Sequence, residues 1–99
     1  MELRPVVKEF ALMMEEKLQA NDSARGDSWK SMTGEQLGNR LGDELDEFID
    51  EWEKPQPNVT VLAQEAADIA NFLMFVVENE KTAWAKRAAD IMARPPGGP

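Results

Sequence analysis

Apolar positions recur along most of this chain at the spacing of helices. Val6, Val7, Phe10, Ala11, Met14 and Leu18 follow Pro5 at that spacing. A proline suits the first turn of a helix, where its missing N–H has no partner to lose. The pattern predicts a first helix over about residues 5–20. Residues 21–32, NDSARGDSWKSM, break the periodicity with Asn, Asp, Ser and Gly and read as a loop. Thr33 and Gln36 match a capping box, which should open a second helix. Its apolar stripe is Leu37, Leu41, Leu45, Phe48 and Trp52, and Pro55 and Pro57 stop it.

Asn58 or Thr60 can cap a third helix running to about Glu78. Thr82 can cap a fourth, with Trp84, Ala88, Ile91 and Met92 on one face. No Gly or Pro separates the last two, so a single bent helix is the alternative. The expected architecture is all-α, a four-helix bundle-like domain over residues 1–93. The tail 94–99, RPPGGP, is expected to be disordered. Gly34, Gly38 and Gly42 recur at the start of the second helix. They read either as a weak helix start or as a place where another helix or a ligand comes close.

Against that frame the polar positions stand out. Glu44-x-x-Glu47 lies in DELDEFIDE, and Glu65-x-x-Asp68 in AQEAADIANFLMFVV. Residues three apart share a helix face. Packed antiparallel, the two helices would bring four carboxylates together, which requires protons or cations to offset the repulsion. An acidic helix segment is most often a solvated face, and Asp43, Asp46 and Asp50 fit that reading. Glu44, Glu47 and Glu51 instead flank the apolar stripe. From Ala66 to Val77 only Asp68 and Asn71 are not apolar, so Glu65, Asp68 and Asn71 form one polar stripe on a helix expected to be buried. Its compensation is a divalent cation, a proton, or a basic side chain, with Arg40, Lys54 and Arg87 as candidates. Hard cations with oxygen ligands, Mg²⁺ first and Mn²⁺ as an alternative, suit such a set.

Composition narrows the chemistry. The chain has 99 residues, no Cys, no His and a net charge of −8. Disulfides, thiolate metal sites and imidazole bases are excluded, and acid–base work falls to carboxylates, Lys or metal-activated water. The acidity argues against binding a nucleic acid polymer. The segment after Met1 has no apolar leader, and the apolar run Ile69–Val77 is short for a membrane span. The chain is expected to be cytoplasmic. No G-x-x-x-x-G-K-[ST] loop occurs, so the usual cradle for γ-phosphate chemistry is missing.

The E-x-x-E and E-x-x-D pair, separated by residues 48–64, resembles the all-α nucleoside triphosphate pyrophosphatase superfamily. Small MazG-like proteins are the nearest likeness. Their second motif often reads like EAADIANF, as residues 65–72 do, and many carry a Gly/Trp/Lys loop like DSWKS at 27–31. Ser28 departs from that loop, standing where relatives often have Gly. The resemblance spans roughly residues 5–92. It implies a MazG-type fold completed by dimerisation, and Mg²⁺ held by Glu44, Glu47, Glu65 and Asp68. It also implies cleavage of a nucleoside triphosphate to a monophosphate and pyrophosphate, with Glu47 as candidate proton acceptor.

Other residues carry two readings each. Trp29 either stacks on a base or anchors its loop. Lys30, and after it Arg25 and Arg40, either holds phosphate oxygens or serves solubility. Asn71 either binds sugar or base, or supports a metal ligand. The apolar excess of the third and fourth helices predicts a homodimer or higher homo-oligomer. The rival functional class is a noncatalytic acidic helical dimer that binds or regulates another protein.

Overall fold

A computed structural model describes residues 1–93; the tail 94–99 lies outside them. Three helices form the described chain: α1 (Pro5–Asn21), α2 (Gly34–Trp52) and α3 (Val59–Met92), with a 3-10 turn at Ser28–Ser31. The all-α expectation holds, and among the described residues there is no strand.

Local sequence sets each boundary. Pro5 occupies the first turn of α1. The Thr33 hydroxyl accepts from the Gln36 N–H at 3.1 Å, and the Gln36 side chain accepts from the Thr33 N–H at 2.9 Å. That reciprocal pair satisfies two otherwise orphaned donors at the start of α2. The Asn58 side-chain oxygen accepts from the Thr60 and Val61 N–H groups and caps α3.

The expected fourth helix is the continuation of α3. Thr82 caps nothing: its hydroxyl donates back to the Glu78 carbonyl at 3.1 Å. That back-bond is compatible with a helix interior, and no residue there forces a break.

The short 53–58 connection folds α2 back along α3, and α1 packs on the same helix. Leu37, Ala67 and Phe75 are the buried apolar residues. The buried face of α2 is turned away from Leu45 and Trp52, which are exposed, toward Glu44 and Glu51. The α2 glycines are not a close-packing device within this chain. A Cβ at Gly34, Gly38 or Gly42 would meet nothing within 4 Å. Gly26 differs: its φ of 47° lies in the left-handed region, which a side chain disfavours.

The chain leaves much apolar surface uncovered. The radius of gyration is 18.1 Å, against about 13 Å for a compact domain of this length. The burial expected all round α3 is incomplete, since Leu73, Met74 and Val77 are exposed, as are Trp84, Ile91 and Met92 further on. Ile69–Val77 alone is short, but continuous α3 is long and apolar enough to cross a membrane by length and composition. Its first half nevertheless packs on α1 and α2 and carries Asp68 and Asn71 partly or fully out of water.

Candidate metal centre

The α2–α3 hairpin delivers the acidic pairs to one place. Oxygens of Glu44 and Glu47, one turn apart on α2, lie with an oxygen of Glu65 from α3, all within 4.8 Å of one another. Glu44 and Glu65 are partly buried, and Glu47 opens to solvent. Three carboxylates at this distance cannot all ionise freely. Burial, together with hydrogen bonding and the charges of Glu47 and Glu44, pushes the Glu65 carboxyl up from 4.5 to about 7. Burial also raises Glu44, helped by the charges of Asp68 and Glu47. Near neutral pH the cluster therefore holds a proton on Glu65 for part of the time.

The residues fit a hard cation. Among the described residues, Glu44 Oε2 and Glu65 Oε2 are buried without a hydrogen-bond partner. A buried carboxylate oxygen left that way is costly, and an ion among these oxygens would satisfy both. The donor set is oxygen only, which suits Mg²⁺ or Mn²⁺.

The fourth predicted ligand is engaged elsewhere. Asp68 Oδ2 lies 3.2 Å from Lys17 Nζ of α1. The basic candidates named from sequence fall in other places. Arg40 Nη2 is 3.8 Å from Glu44 Oε1. Lys54 Nζ is 2.9 Å from Glu51 Oε2, close enough for an ion pair but not aligned as a hydrogen bond. Arg87 lies on the exposed far half of α3. Lys17 carries no signal of its pairing with Asp68 in the sequence beyond its place a turn after Met14, at the edge of the apolar stripe of α1.

A cavity of about 550 Å³ adjoins the cluster. Glu44 and Asp68 form part of its wall, and Lys17, Arg25 and Arg40 supply three cations. Trp29, Phe72 and Phe75 give it an aromatic side, and Asn71 lines it as well. Trp29 anchors its loop: the indole stacks on Phe75 at 4.6 Å with 9° between planes. Asn79 Nδ2 donates to the Trp29 carbonyl at 3.0 Å. Lys30 lies outside the cavity, paired with Asp27 at 3.2 Å and exposed. Asn71 is buried, and its Nδ2 donates to the Met14 carbonyl at 3.0 Å. Its Oδ1 has no partner.

Of the residues singled out from sequence, the fold thus brings together Glu44, Glu47 and Glu65. It sets Asp68, Trp29, Asn71, Arg25 and Arg40 around the adjoining cavity and leaves Lys30 outside it. Comparison with known proteins matches this chain to no family model, no curated protein and no solved structure.

Proposed function

We propose that the chain is a Mg²⁺-dependent nucleotide pyrophosphohydrolase of the MazG-like kind. It would convert a nucleoside triphosphate to a monophosphate and pyrophosphate in the cytoplasm. The observation that carries this reading is the juxtaposition of two environments. Three carboxylates converge beside a cavity that offers three cations and an aromatic wall. Hard cations and phosphate oxygens need the first two features, and a base favours the third.

Glu44, Glu47 and Glu65 would hold the metal, with Asp68 joining them. When bound, such an ion neutralises phosphate charge and lowers the pKa of water. Glu47, the carboxylate of the three that is open to solvent, would accept the proton from the attacking water at its free oxygen. Arg25 and Arg40 would orient phosphate oxygens. Trp29, held from one side by Phe75, would present its remaining surface to the base.

The functional unit would be a homodimer, in which a second chain would cover the apolar surface that one chain leaves exposed. Support comes from the exposed apolar residues of α3 and the extended radius of gyration.

The test is turnover of all common ribo- and deoxyribonucleoside triphosphates with Mg²⁺ in ¹⁸O-labelled water. Label in a monophosphate is expected, from attack at the α-phosphorus. Label confined to pyrophosphate or free phosphate overturns that assignment. No turnover across the panel, together with no thermal stabilisation by Mg²⁺, favours the noncatalytic acidic dimer instead.

A further inference from the structure

Two contacts between α1 and α3 stand one turn apart on both helices. Met14 takes a hydrogen bond from Asn71, and Lys17 pairs with Asp68. The order reverses from one helix to the other, as antiparallel packing requires. The Asn71–Met14 bond is the more buried of the two, with Asn71 4% exposed. It also fixes the amide: turning it over would set Oδ1 against the Met14 carbonyl. This bond and the Lys17–Asp68 pair share one register of α1 against α3.

Lys17 is not locked in that contact. Its side chain is 32% exposed, that of Asp68 is 22% exposed, and both line the cavity. A lysine ammonium sits on a flexible stem with three rotatable donors, so it can turn into the cavity without backbone movement. A divalent cation on Asp68 would do for that carboxylate what Lys17 does. Two cations against the same carboxylate would repel each other.

We propose that Lys17 is an exchangeable cation. It neutralises Asp68 while the metal is absent, and it turns to the phosphate oxygens of a polyphosphate ligand when the metal takes Asp68. The inference rests on the reading of the carboxylates as metal ligands, but not on the reaction. Lys17 would meet the pyrophosphate group of the ligand, with Arg25 also lining the cavity.

Calorimetry on the full chain tests it, using Mn²⁺ alone and then the Mn²⁺–pyrophosphate complex at saturating Mn²⁺. In Lys17→Met, freed Asp68 should bind Mn²⁺ several-fold more tightly. The same variant should bind the pyrophosphate complex about tenfold more weakly, through loss of a charge-assisted contact. Lys17→Arg should keep both affinities within a few-fold of the original, and Lys8→Met, on the same helix and paired with Glu2, should change neither. Opposite shifts in the two affinities support the exchange. Unchanged or weaker Mn²⁺ binding in Lys17→Met overturns it, as does unchanged pyrophosphate binding. A chain that binds no Mn²⁺ overturns it together with the metal reading. A chain that shows both shifts but turns over no triphosphate leaves the exchange standing and removes the proposed reaction.

Discussion

Trp29 and Phe75 lie face to face, their ring centroids 4.6 Å apart and their planes 9° from parallel. Phe72 meets Phe75 edge-on at 5.7 Å, so one ring of α3 organises both a loop and a neighbour. The Asn79 amide holds the Trp29 carbonyl one turn further along α3. The 3-10 turn at 28–31 is thus fastened to α3 by a ring and an amide.

Removing that fastening should cost more than its area suggests. Phe75→Ala empties a buried position and should destabilise the chain by about 3–5 kcal/mol. Asn79→Ala should cost about 1 kcal/mol. Val6→Ala, at a position 69% exposed on α1, should be close to neutral. Urea unfolding of the three variants gives the order. A Phe75→Ala cost no greater than that of Val6→Ala would show that the stack does not hold the loop.

The carboxylates should behave as a unit toward metal. Glu44→Gln, Glu47→Gln, Glu65→Gln and Asp68→Asn are each expected to remove most Mg²⁺-dependent activity and most of the thermal stabilisation by Mg²⁺. The fold should survive, and Glu44→Gln or Glu65→Gln should raise metal-free stability at neutral pH by relieving repulsion. Asp46→Asn and Asp50→Asn, on the exposed side of α2, are the controls. Equal losses in controls and cluster variants would refute the assignment.

Much of this arrangement was legible in the sequence because it is local. The Thr33–Gln36 box, Pro5 and Asn58 are signals read within a few residues, and each sits where the helices begin. The convergence of Glu44, Glu47 and Glu65 followed from helical spacing and a short connection. What escaped the sequence is set by contacts across the fold. The turn at 28–31 depends on Phe75 and Asn79, roughly fifty residues away. Lys17 could be placed on α1 from its spacing, but its pairing with Asp68 follows from how α1 packs against α3. Of the two readings of residues 59–92, the fold takes the single helix, for a simpler reason. Thr82 is as ready to back-bond inside a helix as to cap one.

The uncovered apolar surface leads to a prediction about assembly. Trp84 is 67% exposed and Ile91 64%, both beyond the part of α3 that α1 and α2 cover. Sedimentation at micromolar concentration should give a species of twice the 11.1 kDa chain mass or more. Trp84→Glu combined with Ile91→Glu should shift it toward the single chain. Neither residue contributes to the buried core, so helicity should persist in the dissociated form. A wild-type chain that sediments as a compact monomer would contradict both the dimer and the burial argument behind it.

The raised Glu65 carboxyl makes metal-free stability depend on pH in a definite direction. Its value is about 7 in the folded chain against 4.5 without the fold. Between those values the folded state binds more protons than the unfolded state. Stability must therefore fall as pH rises through that interval and level off above it. Glu44 is raised as well and adds the same sign. Glu65→Gln mimics the protonated form at every pH. Near pH 4.5 its stability should match the wild type, and above pH 7 it should exceed it. Urea unfolding in the presence of a chelator, at both ends of the interval, measures the difference. Taking wild type minus variant cancels the titrating groups outside the cluster, leaving Glu65 and the carboxylates it interacts with. Mg²⁺ should reverse the order at high pH, because the ionised wild-type cluster binds the ion and the variant does not. A difference between the two proteins that stays constant across the interval would mean that Glu65 holds no extra proton in the fold.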